Sequence, residues 1–215
     1  MSMSGFAFAN KLGEKVSEIY NNPYDAYDSQ QCQGIKKELC FVENNLVIRI
    51  LDTKMISVKW AVLCAKHVLY IFEEQYPDNK RPRKSIEAVS NWIKDPSEKN
   101  IKICKKAFND AANAAANAAV NAAANAAYAA AYASYTSYAF YDASYTSSYG
   151  AAKAVAAVAA TKKSSEIKWQ RKKLNQIVYE DIVIAFATTQ YQRIDKKLVR
   201  KIPKELLEYI ASFLY

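Results

Sequence analysis

The sequence is poor in glycine, histidine and closely paired cysteines, and each shortage excludes a kind of site. Only four glycines and one histidine occur in 215 residues, which excludes in practice the glycine-rich loops that cradle phosphates in nucleotide-binding proteins. The four cysteines, Cys32, Cys40, Cys64 and Cys104, lack the paired spacing of a zinc site, and we interpret them as reduced structural thiols. The sequence therefore predicts neither a metal nor a cofactor.

Secretory and membrane-spanning patterns are also missing from the sequence. The first twenty residues, MSMSGFAFANKLGEKVSEIY, do not combine a cationic start with a continuous apolar run. We also find no segment with the roughly 18 strongly apolar residues of a membrane span. We therefore expect a cytoplasmic protein that makes no membrane contact.

What the chain has in excess is positive charge and apolar residues. Thirty Lys and Arg outnumber 21 Asp and Glu, which gives a net charge of +9 and a pI near 9.2. Such a chain is attracted to acidic partners, including nucleic acid, although net charge does not determine a fold. With 51% hydrophobic residues, the chain can bury a substantial core as one domain.

Residues 109–150 form an alanine-rich tract in which Asn, and later Tyr, recur with the period of an α-helix. Successive members of this stripe are about 3.6 residues apart on average. They are Asn109, Asn113, Asn117, Asn121, Asn125, Tyr128, Tyr132, Tyr135, Tyr138, Tyr141, Tyr145 and Tyr149. Alanine favours helices and lets them approach closely, so we predict a polar stripe between packed helices.

One helix over this whole tract would be about 60 Å long, which is longer than a domain of this size is across. The tract is therefore predicted to fold back at least once. Candidate breaks lie at residues 134–137, at residues 142–144 and at Gly150, because glycine commonly ends a helix.

The rest of the chain also reads mainly as helices. Residues 5–20 are predicted to form an amphipathic helix, whereas residues 35–50 fit either a helix or a short strand. A helix through Trp60 should end at Pro77, and a second should run from Pro82 to Asp95. Further helices are predicted over residues 151–160 and 165–187 and after Pro203. We therefore predict an all-α fold, a compact bundle of about seven helices with closely packed alanine-rich central helices.

The helix through Trp60 and the turn that follows it carry a recognisable pattern. Its members are Trp60-Ala61, Cys64-Ala65, Val68-Leu69, Phe72-Glu73, Pro77-Asp78, Arg81-Pro82-Arg83, Ile86-Glu87-Ala88 and Trp92. The pattern resembles the immunity protein five-like family of bacterial polymorphic toxin systems. The likeness continues at Glu166, Trp169-Gln170 and Leu174, and covers about residues 54–180.

The resemblance implies an all-α domain that acts as a stoichiometric protein inhibitor and not as an enzyme. A toxin-like protein partner, neutralised by occlusion, is the corresponding expectation. The predicted organisation is a helical N-terminal extension over residues 1–53, an immunity-protein-like helical domain over residues 54–180, and basic amphipathic C-terminal helices over residues 181–215 that pack on the same core.

Two basic clusters supply the candidate partner-binding residues: Arg81, Arg83, Lys84, Trp169, Arg171 and Lys172. In the first cluster, the arginines either pair with carboxylates to fix the turn or contact a partner or phosphate. The second cluster lies within residues 162–173 and, with residues 193–204, could bind nucleic acid by phosphate neutralisation and base stacking, or could be a solvated helix face. The alternative function is therefore a basic structural or nucleic-acid-binding helical protein.

A catalytic alternative rests on Cys64 and His67, whose spacing brings two side chains together on a helix. We predict that both belong to the core, because no glycine-rich turn accompanies them to form an oxyanion pocket. The segment after Pro203 resembles the opening helix of an F-box, and its alternative is an amphipathic helix that closes this protein's own core.

Overall fold

A computed structural model describes residues 4–9, 11–23, 25, 38–119, 121–138, 143–158 and 163–192. Within these ranges the chain forms three strands and six helices. The strands are β1 (Ser4–Ala9), β2 (Glu38–Glu43) and β3 (Leu46–Ile50), and the helices are α1 (Thr53–Gln75), α2 (Arg81–Lys94), α3 (Glu98–Ala116), α4 (Asn121–Tyr138), α5 (Ala143–Ala157) and α6 (Lys163–Gln192). The predicted compact, largely helical fold is confirmed, and a small sheet is added to it. The helix predicted after Pro203 lies outside the described residues.

The N-terminal segments form an antiparallel sheet in the order β1-β2-β3. The helix predicted over residues 5–20 is therefore wrong, and the expected helical character of residues 1–53 is wrong for residues 4–9, 38–43 and 46–50, which are strands. The strand alternative for residues 35–50 is confirmed by β2 and β3. Asn44 and Asn45 join these strands with φ of +50° and +63°, the left-handed conformation that two-residue hairpin turns require. Phe6 and Leu39 place the sheet against the same core as the helices.

The α1–α2 hairpin follows the sequence prediction closely. The Asp52 carboxylate caps α1 by accepting a hydrogen bond from the Met55 backbone N–H at 2.8 Å, which satisfies one of the free donors of the first turn. Pro82 lies in the first turn of α2, and that helix ends at Lys94, just before Asp95. Val68, Phe72 and Val89 of the two helices are fully buried.

Helix α1 corrects the expectation that no segment is apolar enough to cross a membrane. It is the one helix in the described part of the chain that reaches the length and hydropathy of a membrane span, and 61% of its most apolar window is buried inside the fold. Burial among the other helices accounts for the apolar composition, since a core helix is hydrophobic on most of its faces.

The alanine-rich tract folds back twice and supplies parts of three helices, α3, α4 and α5. The first break lies after Ala116, where Asn117 caps α3, and no sequence signal had been assigned to it. Helix α4 continues through the break predicted at residues 134–137 and ends at Tyr138, while α5 begins inside the break predicted at residues 142–144. A helix stop at Gly150 is wrong, because Gly150 lies within α5.

Within α4 the alanines and the polar stripe separate onto different sides. Ala123, Ala126, Ala130 and Ala133 are fully buried, which confirms the close packing predicted for the alanine faces. The prediction that the stripe lies between helices is wrong for its four asparagines from residue 109 to residue 121, which are exposed, whereas its tyrosines in α4 are half-buried and contact rings of α3 and α5. The asparagines therefore face solvent.

Candidate functional site

The hairpin turn between α1 and α2 holds three of the predicted site residues. Arg83 fixes the turn by pairing with Glu73. Its Nε donates a hydrogen bond to Glu73 Oε1 at 2.6 Å, and its Nη2 donates one to Glu73 Oε2 at 2.5 Å. This bidentate hydrogen bonding, together with the positive charge of Arg83, lowers the pKa of Glu73. Arg83 thus joins α1 to α2, which agrees with the first of its two predicted roles, the pairing with a carboxylate that fixes the turn.

Arg81 and Lys84 are placed differently, at an open groove of about 460 Å³ that is lined by residues 78–81 and 84. Arg81 donates from its Nε to the neutral amide oxygen of Asn79 at 3.1 Å, so this bond leaves its charge uncompensated. Both side chains are exposed. Among the described residues, neither Arg81 nor Lys84 forms an ion pair. Together they give the groove a positive rim, with Asp78 as its acidic member.

A polar cluster joins α1, α5 and α6 away from this turn. The buried carboxylate of Glu166 lies 2.8 Å from His67 Nδ1 and accepts a hydrogen bond from Gln170 Nε2 at 3.0 Å. Gln170 also donates to the backbone oxygen of Ala151 in α5 at 3.1 Å. Trp169 stacks on the His67 ring with 3.9 Å between centroids and 13° between planes. Glu166 lies in the first turn of α6, where the helix dipole favours a negative charge.

The prediction that His67 belongs to the core is wrong, because 41% of its side chain is exposed. Its partner is Glu166, ninety-nine positions later in the sequence, which no local spacing could have indicated. Glu166 and Gln170 are indicated in the sequence only by the family resemblance, whereas Trp169 is also part of the second basic cluster. The only local pattern around His67 is a mainly apolar helix face, and that pattern predicts a buried side chain.

Cys64 is fully buried, and burial raises the pKa of its thiol well above the usual value, with a further increase from the negative charge of Glu166. A protonated thiol is a weak nucleophile. Cys40 and Cys104 are buried free thiols as well, whereas Cys32 lies outside the described residues. No group of three or more His, Cys, Asp or Glu side chains within the described ranges is arranged to hold a metal ion.

The second basic cluster is spread along α6 and does not form a single site. Arg171 pairs with Asp25 at 2.8 Å and so ties α6 to the N-terminal region. Lys172 is exposed, while one ring face of Trp169 is covered by His67. Lys162 and residues 193–204, which had been considered for nucleic-acid binding, lie outside the described residues. The six predicted residues therefore fall into two separate groups, one at the hairpin turn and one on α6.

Comparison with known proteins adds one finding to this geometry. A family model described as Imm-5 like putative immunity protein matches residues 51–177, which is more than half of the 215-residue chain. The matched range begins just before α1 and ends inside α6, so it includes the hairpin turn and the Glu166 cluster. No curated protein and no solved structure matches the chain.

Proposed function

Because the chain belongs to the Imm-5 like putative immunity protein family, we propose that it is a non-enzymatic protein that neutralises a toxin-like protein by binding to it and covering its surface. The family match is the observation that carries this proposal. It spans five complete helices and the first half of a sixth, and therefore concerns most of the helical part of the fold rather than a short motif. We also propose that the protein acts in the cytoplasm.

The basic rim of the hairpin groove supports a role in partner binding. Arg81 and Lys84 are exposed, and the hydrogen bond of Arg81 goes to a neutral amide. The turn that carries them is fixed by the Glu73–Arg83 pair, so the two cations are held on a defined loop. Such preorganisation lowers the entropy cost of association. Arg83, Trp169 and Arg171 are already engaged within the chain, and their replacement would test folding more than binding.

A direct test is co-expression of this chain with each protein encoded by the genes that flank its own, to find a toxin domain that it neutralises, with bacterial growth as the readout. We expect the chain to restore growth and to elute with the toxin domain as one stoichiometric complex in size-exclusion chromatography. An Arg81→Glu/Lys84→Glu double variant should restore growth less well, because it reverses the charge of the groove rim. Lys99→Glu/Lys106→Glu, with the same change of net charge at two exposed positions of α3, is the matched control.

The enzymatic alternative is tested by the two residues that would be needed for it. Cys64→Ala and His67→Ala should leave neutralisation intact in cells where the variant accumulates to the wild-type level. Loss of neutralisation in both variants, with the complex still formed at full stoichiometry, would contradict a purely binding role. If the growth of toxin-expressing cells stays inhibited in the presence of the wild-type chain and no complex forms, the proposed function itself is contradicted.

A further inference from the structure

Five aromatic rings from three helices form a continuous surface. Phe108 of α3, Tyr132, Tyr135 and Tyr138 of α4, and Tyr149 of α5 are here called the tyrosine face. Their ring centroids are separated by 4.6 Å for Tyr132 and Tyr149, 5.1 Å for Tyr135 and Tyr138, and 5.4 Å for Phe108 and Tyr135. The tract that appeared repetitive in sequence therefore builds one aromatic surface.

The tyrosine face lies at the edge of the packed core, against which Tyr138 packs. The four rings from α3 and α4 are half-buried, and Tyr149 is 39% exposed. Alanines such as Ala129 and Ala133, on the other side of α4, are fully buried and bring the neighbouring helices together. Because those small residues already provide the close packing, the tyrosines are not needed to fill an interior space. Large aromatic side chains left half-open in this way are typical of protein-binding surfaces.

Two lysines lie over the rings of this part of the molecule. Lys105 Nζ is 5.6 Å from the centre of the Tyr138 ring, and Lys153 Nζ is 5.3 Å from Tyr149 and 5.5 Å from Tyr128. Cation–π contacts of this length hold a flexible side chain in place. Helices α3, α4 and α5 together carry five lysines and only two acidic residues, Glu98 and Asp110, so these helices have a net positive charge, and two of the lysines lie at the rings.

Resting on the proposed function, we infer that the tyrosine face and its two lysines form the surface that docks an acidic region of the protein partner. The phenol group of Tyr149, the most exposed of these rings, can donate a hydrogen bond to a carboxylate, and the ammonium groups of Lys105 and Lys153 can pair with carboxylates as well. Burial, with smaller contributions from Tyr135 and Cys104, raises the pKa of Tyr138, so this phenol stays protonated and remains a donor. Tyrosine also contributes a large contact area at a low cost in side-chain entropy.

The observations favour a protein partner over nucleic acid and over a second copy of this chain. Bases bind by stacking on open ring faces, but Lys105 and Lys153 lie over the rings of Tyr138 and Tyr149. The rings also contact one another edge-on, for example at 86° for Tyr135 and Tyr138. A second copy would bring two positive surfaces together, which is electrostatically unfavourable.

The test compares charge reversals on and beside this surface in the full-length chain, with the toxin domain identified by co-expression as the probe. We expect Lys105→Glu/Lys153→Glu to weaken binding by on the order of tenfold or more, as hot-spot residues near the centre of an interface do. The matched control is Lys106→Glu/Lys99→Glu, which makes the same change of net charge on another side of α3. It should weaken binding much less. Tyr149→Ala should also weaken binding, with folding verified by circular dichroism.

The outcomes separate this inference from the function on which it rests. Failure of the wild-type chain to bind the toxin domain overturns both. Wild-type binding that survives the Lys105/Lys153 reversal, or that falls equally in the Lys106/Lys99 control, overturns only the inference. Binding of a single-stranded RNA oligonucleotide, lost through the same Lys105/Lys153 reversal, would identify a nucleic-acid surface and would also overturn the inference.

Discussion

At the scale of single residues, Glu166 is the position on which three helices converge. Its carboxylate contacts His67 of α1 and Gln170 of α6, and Gln170 in turn reaches the backbone of Ala151 in α5. The residue is only 3% exposed, so its charge is stabilised by these partners and by the start of α6 rather than by water. We interpret the cluster as a structural junction, with His67 as its solvent-facing member.

Replacing Glu166 by Ala should therefore destabilise the fold without removing a contact to the partner. The buried amide of Gln170 would lose one acceptor, which costs about 1–3 kcal/mol of unfolding free energy. Urea unfolding followed by circular dichroism measures this loss, and Glu87→Ala on the exposed surface of α2 serves as the control. A loss of toxin binding in Glu166→Ala at unchanged stability would contradict the structural assignment.

The Glu73–Arg83 pair gives a residue-scale prediction that depends on pH. The pKa of Glu73 is lowered from 4.5 by Arg83, so the pair stabilises the fold above the unfolded-state pKa, and this contribution disappears as pH falls through the lower folded-state pKa. Arg83→Gln should cost about 0.2–1 kcal/mol at pH 7, as is typical of an exposed pair. The difference from wild type should vanish in acid.

The control for this pH dependence is Arg81→Gln on the same turn. Arg81 contacts the uncharged Asn79, so its replacement should change the unfolding free energy by an amount that stays constant across the same pH range. Thermal or urea unfolding of wild type and both variants between neutral and acidic pH makes the comparison. A constant difference for Arg83→Gln would show that the ion pair adds nothing to stability.

At the scale of helices and strands, the alanine-rich elements have little tolerance for larger side chains. Ala130 of α4 is fully buried, and its backbone oxygen accepts a 2.9 Å hydrogen bond from the Ser85 hydroxyl of α2. A leucine at this position would separate α2 from α4, so we expect Ala130→Leu to lower the unfolding free energy by about 1–3 kcal/mol. Ala152→Leu on the exposed side of α5 should change it by less than about 0.5 kcal/mol, since leucine is nearly as good a helix former as alanine.

Gly150 illustrates why the helix breaks of this region could not all be predicted. A side chain there would place a Cβ 3.1 Å from the Cβ of Tyr132, so the glycine allows α5 to approach α4 closely rather than ending a helix. That role depends on a neighbour eighteen positions away. The α1–α2 hairpin, by contrast, was predictable because its Pro77, Pro82 and Asp95 signals are local.

The N-terminal sheet carried local signals that were misread. The alternation of Gly, Phe and Ala in β1 has the period of a strand, and the two asparagines at 44 and 45 are a hairpin signal. Helical spacing of Phe8, Leu12, Val16 and Ile19 was favoured instead. Those residues do not lie on one helix, because Phe8 belongs to β1 and residues 11–20 are not helical.

At the scale of the whole molecule, the family and the fold were accessible from the sequence, whereas the arrangement of the functional surfaces was not. The helical period of the tyrosine stripe is evident from the sequence. Its exposure is not, because that depends on which sides of α4 pack against the neighbouring helices. The six predicted site residues lie in two separate groups, and two of them, Arg83 and Arg171, form ion pairs within the chain. Carboxylate pairing is one of the two roles predicted for Arg83, and Glu73 lies only ten positions before it. Arg171, by contrast, pairs with Asp25, 146 positions away, and no short pattern reveals that contact.

The net charge of +9 leads to a prediction that separates the two functions considered for this protein. An acidic protein partner should associate quickly at low ionic strength, and raising salt from about 0.05 to 0.5 M should slow association by on the order of tenfold or more. The dissociation rate should change little, because the aromatic contacts are insensitive to screening. Surface plasmon resonance with the toxin domain measures both rates.

A single-stranded RNA should bind no more tightly than about 10⁻⁴–10⁻⁶ M at physiological salt, the range of non-specific contacts, since Trp169 is covered on one face by His67 and cannot be sandwiched by bases. Nanomolar, salt-resistant RNA binding would instead favour the nucleic-acid role, and a protein complex with salt-independent association would remove the electrostatic argument for an acidic partner.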